Sequence, residues 1–132
     1  MDLEKRYALV VEDDDMSAKV VRLFLQAEGF TVLRCASAEE ALVLAPKQPL
    51  ALITLDLKLN GMNGWHLLKE MREHSSLADV PVVIISGLPV STAAPGLATW
   101  RGVAGALQKP FTRAQLHQVL TDLGLRFALK PV

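Results

Sequence analysis

Short apolar runs alternate with segments of helical periodicity along the chain. Five of the runs have the length and composition of β-strands, and they cover residues 7–11, 31–35, 50–55, 81–85 and 103–107. The central run, LALITL at residues 50–55, has no alternation of polar and apolar side chains, which is typical of a strand buried on both faces. Because helical segments separate the strands, the pattern predicts a parallel sheet with helices on both of its faces.

The segment that follows the first strand has apolar residues at spacings of four, three, one and three. The apolar helix face that this spacing predicts consists of Met16, Val20, Leu23, Phe24 and Ala27. We expect Gly29 to end this helix, because glycine adopts the left-handed backbone conformation found at many helix C-termini.

Two further helices begin with residues at capping-box spacing. Ser37 with Glu40 predicts a helix over residues 38–45, and Thr112 with Gln115 predicts the last helix. Another helix is predicted over residues 65–73. A fourth helix belongs between residues 89 and 100, where two prolines and a glycine predict a short or irregular segment.

Composition indicates one globular domain of ordinary size. The 132 residues are 51% hydrophobic, and 14 basic side chains balance 14 acidic ones, so no net charge attracts nucleic acid or an anionic membrane. The single cysteine, Cys35, cannot form an internal disulfide and no signal peptide is present, which together predict a cytoplasmic protein. No apolar run approaches the roughly 20 residues that span a bilayer.

Four of the five predicted strands lead into residues whose side chains can react or bind a metal ion. The first strand is followed by Glu12 and Asp13, and the third by Asp56. The fourth is followed by Ser86, and the fifth leads to Lys109. Because the carboxyl ends of parallel strands meet at one edge of a sheet, we expect these side chains to lie together.

Three carboxylates at one edge repel one another, at a cost on the order of 3 kcal/mol for each pair at about 5 Å. A hard divalent cation removes this conflict, and Mg²⁺ prefers carboxylate, water and phosphoryl oxygens. With the ammonium of Lys109 added, such a site suits a phosphoryl group. Lys109 and Ser86 would donate to its oxygens, and Asp56 would attack as the nucleophile.

These features resemble the receiver domain of two-component response regulators, over residues from about 7 to 123. The motifs that carry the resemblance are Glu12-Asp13, Asp56 with GMNG at residues 61–64, Ser86-Gly87 and Lys109-Pro110-Phe111. The resemblance implies a doubly wound, flavodoxin-like sheet of five parallel strands in the order 2-1-3-4-5. It also implies a receiver domain at residues 1–124, followed by a tail at residues 125–132.

The resemblance further implies a role for each site residue. Asp56 would accept a phosphoryl group from a phosphohistidine on a histidine kinase or a phosphotransfer protein. Ser86 and Lys109 would contact that group, and the Lys109–Pro110 peptide bond would be cis. The implied Mg²⁺ ligands are Glu12, Asp13, Asp56 and the backbone carbonyl of Lys58. A downstream protein would then respond, with homodimer formation left open and neither nucleic acid nor membrane expected as a partner.

Departures from the family pattern keep a second function open. The family has an aromatic residue where this chain has Ala106, and the broken fourth helix adds to that difference. Both favour an alternative, a binding module that does not depend on phosphorylation. A phosphatase with an aspartyl-phosphate intermediate is disfavoured by Lys58, which stands where that chemistry has a second acid. A nucleotide or flavin carrier lacks its glycine-rich loop. The favoured prediction is a signalling switch, not an enzyme acting on a separate substrate.

Overall fold

Strands and helices alternate along the chain as the hydrophobic pattern predicts. The computed structural model describes residues 6–59, 64–87 and 103–124. Its elements are β1 (Arg6–Val11), α1 (Asp15–Ala27), β2 (Phe30–Cys35), α2 (Ala38–Leu44) with a 3₁₀ turn (Ala45–Lys47), β3 (Leu50–Leu55), α3 (Gly64–Arg72), β4 (Val82–Ser86), β5 (Val103–Gln108) and a C-terminal helix (Arg113–Asp122). The longest of the described helices, α1, has 13 residues, so none of them is long enough to cross a bilayer.

The five strands form one parallel sheet in the order β2-β1-β3-β4-β5, which confirms the predicted fold. Val11 at the end of β1 pairs with Cys35 in β2 and with Leu55 in β3. Three strands therefore end at the same level, and the residues that follow them share one edge. The predicted fourth helix and the predicted tail at residues 125–132 lie outside the described residues.

An apolar layer covers each face of the sheet. Along β1, Leu9 and Val11 point into the layer shared with α2 and α3, whereas Ala8 and Val10 point into the layer shared with α1 and the C-terminal helix. This alternation places consecutive strand residues on opposite faces. In the central strand, Leu52, Ile53 and Leu55 are all fully buried, so the prediction of a strand covered on both faces is confirmed.

The predicted apolar face of α1 is wrong except at Phe24, which is half-buried against the layer that α1 shares with the C-terminal helix. The residues that α1 buries against the sheet are Ala18, Val21 and Leu25. Three of the predicted residues form instead an exposed row, here called the α1 apolar stripe: Met16 (70% exposed), Val20 (39%) and Leu23 (48%). Spacing alone misplaced the face because the small Ala18, although buried, is outweighed by larger apolar residues in a periodicity argument.

The two predicted capping boxes differ in detail. At the C-terminal helix, Thr112 Oγ1 accepts from Gln115 N at 3.1 Å and Gln115 Oε1 accepts from Thr112 N at 2.8 Å, so the box is complete. At α2, Ser37 Oγ accepts from Glu40 N, but Glu40 Oε1 accepts from the backbone N–H of Ala36. That carboxylate therefore ties α2 to the end of β2 and leaves the second half of the box unmade.

Candidate functional site

The carboxyl ends of β1, β3, β4 and β5 meet around a cleft of about 510 Å³. The cleft is lined by every residue that the sequence singled out: Glu12, Asp13, Asp56, Lys58, Ser86 and Lys109. Because the strands end at the same level of the sheet, these residues meet although up to 97 positions separate them in the chain. The side chains that follow the strands and can react or bind a metal ion therefore lie in one cleft.

Three carboxylates converge in this cleft. Glu12 is 3% exposed, Asp56 is 7% exposed, and Asp13 is half-buried. One carboxylate oxygen from each lies within 4.8 Å of the other two. The donor set consists of hard oxygen atoms and contains neither imidazole nor thiolate, so these residues fit Mg²⁺ better than they fit zinc or copper.

Lys109 joins two of the carboxylates. Its Nζ lies 2.6 Å from Glu12 Oε1 and 3.0 Å from Asp56 Oδ2. Its backbone N–H donates to the carbonyl of Ser86 at 2.8 Å, which fixes the lysine against the end of β4. Burial opposes the positive charge, but the hydrogen bonds to the two carboxylates outweigh it, and the pKa of Lys109 is raised above its ordinary value. The lysine therefore stays charged at neutral pH.

One ammonium does not balance three carboxylates. Burial and the neighbouring charge of Asp56 raise the pKa of Glu12 to about 7, although the hydrogen bonds from Lys109 and from the Asp14 N–H favour ionisation. Near neutral pH the metal-free site therefore tends to take up a proton at Glu12. A divalent cation would supply the missing positive charge without a proton.

Asp56 is held through its backbone and through both carboxylate oxygens. Its backbone N–H donates to the carbonyl of Val11 at 3.1 Å. Its Oδ1 accepts from the backbone N–H of Lys58 at 3.0 Å, and its Oδ2 accepts from Lys109. These contacts hold the carboxylate at the end of β3, with Ser86, only 1% exposed, at the end of the neighbouring strand.

An apolar groove of about 390 Å³ adjoins the cleft. It is lined by Met16, Ser17, Val20, Val21, Lys109, Pro110 and Phe111. Lys109 lines both the groove and the cleft, and the peptide bond that follows it is cis, as the family resemblance implied. Phe111 packs edge-on against Phe24 with ring centroids 5.7 Å apart, which anchors the segment to α1.

Sequence reasoning missed one side chain at the site. Arg34, near the end of β2, donates from Nη2 at 2.8 Å and from Nε at 3.1 Å to the carbonyl oxygen of Glu12. The available signal was an arginine inside an otherwise mostly apolar strand. Asp14, by contrast, is the N-cap of α1: its carboxylate accepts from the backbone N–H of Ser17 at 2.8 Å, and hydrogen bonding with Ser17 lowers the pKa of Asp14.

Comparison with known proteins identifies the family. Residues 8–121 match the family model described as the response regulator receiver domain. The chain belongs to this family. As a receiver domain it also resembles, at a TM-score of 0.79 and 30% identity, the structure of a putative response regulator from Chloroflexus aurantiacus, with 91% of this chain and 98% of that chain covered. The family assignment from the strand-end motifs is thus confirmed.

A second similar solved structure contains a metal ion. The receiver domain of sensor histidine kinase PA1611 from Pseudomonas aeruginosa contains a magnesium ion coordinated in its active site cleft. It is 25% identical to this receiver domain, with a TM-score of 0.76, and 91% of this chain and 98% of that chain are covered.

The curated relatives are longer proteins. The transcriptional regulatory protein GlrR of Escherichia coli is 29% identical over 125 residues, which are 92% of this chain and 27% of the relative. The probable transcriptional regulator ycf29 of Pyropia yezoensis is 29% identical over 128 residues, which are 92% of this chain and 54% of the relative. The receiver domain therefore spans about half or less of the length of these relatives.

Proposed function

We propose that this receiver domain accepts a phosphoryl group on Asp56 from a phosphohistidine of a histidine kinase or a histidine phosphotransfer protein, in a reaction that requires Mg²⁺. One observation carries the proposal. The carboxylate oxygens of Glu12, Asp13 and Asp56 lie within 4.8 Å of one another, and the ammonium of Lys109 lies 3.0 Å from Asp56. This arrangement of charges suits the binding of an anionic group together with a cation.

The residues proposed to hold Mg²⁺ are Glu12, Asp13, Asp56 and the backbone carbonyl of Lys58. When bound, the cation neutralises charge on the carboxylates and on the oxygens of an incoming phosphoryl group. The raised pKa of Glu12 supports this assignment, because it reflects a site with too little positive charge of its own.

In the proposed reaction an ionised carboxylate oxygen of Asp56 attacks the phosphorus atom. The new P–O bond forms as the P–N bond breaks, and the electron pair of that bond returns to the donor's imidazole. Lys109 keeps its proton and donates to the phosphoryl oxygens, and Ser86 donates through its hydroxyl group. The product is an acyl phosphate that adds charge and hydrogen-bond acceptors to the sheet edge.

The receiver domain is proposed to act as a switch and not on a separate substrate. Its own site would catalyse only the formation and loss of the acyl phosphate. A downstream protein would read the change in surface charge. The free thiol of Cys35, which is buried, supports a location in the reducing cytoplasm.

A second candidate is a binding module that ignores phosphorylation, and Ala106 favours it. This alanine lies in β5, pairs with Ile84 of β4 and packs, half-buried, against the apolar layer of α2 and α3. A methyl side chain has no alternative rotamer through which to couple the site to the surface. The two candidates differ in whether Asp56 reacts at all.

The deciding experiment is intact-protein mass spectrometry after incubation with acetyl phosphate and Mg²⁺. The switch requires a mass increment of one phosphoryl group that disappears in Asp56→Asn and in excess EDTA. A protein that gains no increment at any Mg²⁺ concentration is the binding module. Repeated turnover of an added phosphoester would instead identify a phosphatase.

A further inference from the structure

Arg34 connects three parts of the acidic edge. It lies in β2 and donates twice, from Nη2 at 2.8 Å and from Nε at 3.1 Å, to the carbonyl oxygen of Glu12 after β1. Its Nη1 also lies 2.9 Å from Asp15 Oδ1, at the first residue of α1. One guanidinium thus reaches the loop that carries the first two acids and the helix that follows this loop.

The ion pair with Asp15 and the hydrogen bonds to Glu12 contribute unequally to holding this loop. The Asp15 side chain is 91% exposed, and ion pairs of such exposure contribute little. The Arg34 side chain is 29% exposed and Glu12 is 3% exposed, so the hydrogen bonds to Glu12 lie where water competes poorly. A charged, planar donor that makes both bonds at once also fixes direction, which a flexible ammonium does not.

The carbonyl that Arg34 holds belongs to the peptide bond between Glu12 and Asp13. The backbone N–H of Glu12 donates to the carbonyl of Cys35 at 3.0 Å, so both polar backbone groups of Glu12 are bound by the end of β2. The orientation of this peptide sets where the loop carries both carboxylates. If the carbonyl were released, the loop would be free to turn toward solvent.

We propose that Arg34 is a positioning residue of the metal site, which holds the Glu12–Asp13 peptide so that both carboxylates face the cation together with Asp56. The inference rests on the proposed Mg²⁺ site. It predicts that removal of the guanidinium weakens Mg²⁺ binding. Simple electrostatics predicts the opposite, because a nearby guanidinium repels a cation and its removal by itself strengthens metal binding.

The test is isothermal titration calorimetry of MgCl₂ into the full chain carrying Arg34→Gln or Arg34→Lys. Loss of groups that orient metal ligands lowers affinity by about 10- to 100-fold in other sites, so we expect Arg34→Gln to bind Mg²⁺ at least about 10-fold more weakly. Arg34→Lys keeps the positive charge but loses the planar guanidinium that donates two hydrogen bonds at once. This variant should therefore also bind Mg²⁺ more weakly. A pure charge effect predicts tighter binding by Arg34→Gln and no change in Arg34→Lys.

Arg22 provides the matched control. It carries the same charge and lines, with Arg34 and Asp15, the same small surface pocket. Arg22→Gln should therefore leave Mg²⁺ affinity unchanged or slightly raised. Urea unfolding of each variant in EDTA measures stability separately, because a purely structural role lowers stability without changing the affinity of the folded protein for Mg²⁺.

The possible failures are distinguishable. If the unsubstituted protein binds Mg²⁺ and Arg34→Gln binds it equally well or more tightly, the positioning role is overturned and the proposed function stands. The same conclusion follows from Arg34→Lys if Arg34→Gln does not fold. If the unsubstituted protein shows neither a heat of Mg²⁺ binding at two temperatures nor any stabilisation against urea by Mg²⁺, the proposed function fails, and this inference fails with it.

Discussion

Gly64 begins α3 directly against the backbone of the proposed phosphoacceptor, and Gly64→Ala tests that contact. A Cβ atom at this position would lie 2.6 Å from the carbonyl oxygen of Asp56 and 2.7 Å from Leu57 Cα. Both are backbone atoms at the end of a buried strand, so neither moves as easily as the tip of a side chain. The substitution should therefore push α3 away from β3.

The size of the effect follows from these distances. Carbon atoms pack at about 3.5–4.0 Å, so Leu57 Cα must recede by about 1 Å. Overpacking of this kind costs about 1–3 kcal/mol, and the hydrogen bond from Gly64 N to Leu57 O at 2.8 Å is strained as well. The helix propensity of alanine returns about 1 kcal/mol at most. We expect a net loss near 2 kcal/mol, or a Tm about 8 °C lower.

The assay pairs urea unfolding with the rate of phosphorylation by acetyl phosphate. Because the displaced backbone carries the nucleophile, the rate should fall by about 10-fold or more in the variant that remains folded. Gly87→Ala is the control for stability, since a Cβ atom there meets nothing within 4 Å and unfolding should change by less than about 0.5 kcal/mol. If Gly64→Ala unfolds and reacts like the unsubstituted protein, the close contact has no energetic consequence and the reasoning is wrong.

Three further predictions concern the acidic cleft. Lys109→Met should slow phosphorylation by acetyl phosphate by about 100-fold or more, because a fixed donor to the phosphoryl oxygens is lost; a rate within 3-fold or so of the unsubstituted rate would contradict this. In EDTA, stability measured by urea should fall as pH rises from 4.5 through about 7, since the folded state raises the pKa of Glu12 and so favours its protonated form. The contribution is about 3 kcal/mol at most, and Glu12→Gln should remove that slope. Mg²⁺ at about 100 times its Kd should add about 2.7 kcal/mol of stability, and Asp13→Asn should need a higher Mg²⁺ concentration for the same gain.

Most of the site was predictable because its geometry follows from chain order. Runs without polar alternation predicted buried parallel strands, and parallel strands bring their carboxyl ends to one edge. Glu12, Asp56 and Lys109 each come next to or shortly after such an end, so they meet without any further information about packing. The completed capping box at Thr112 follows from an equally local signal, whereas the sheet order was implied by the family resemblance.

What the sequence did not reveal depends on contacts between elements. The buried face of α1 was missed because it includes Ala18, a small residue that counts for little in a hydrophobic pattern. Arg34 was missed because its hydrogen-bond partner is the backbone carbonyl of Glu12, which follows a different strand. Every residue has a backbone carbonyl, so the sequence does not indicate which one is bound. Glu40 likewise reaches Ala36 because of how β2 meets α2. In each case the deciding partner lies in tertiary structure.

The α1 apolar stripe lies outside the packing that holds α1 on the sheet. Met16 is 70% exposed and Leu23 is 48% exposed, whereas the inward residues Ala18, Val21 and Leu25 carry the packing of the same helix. Substitutions along the stripe therefore change little in the free energy of unfolding. These outer side chains can therefore be replaced one by one while the helix beneath and the reactive edge beside it stay intact.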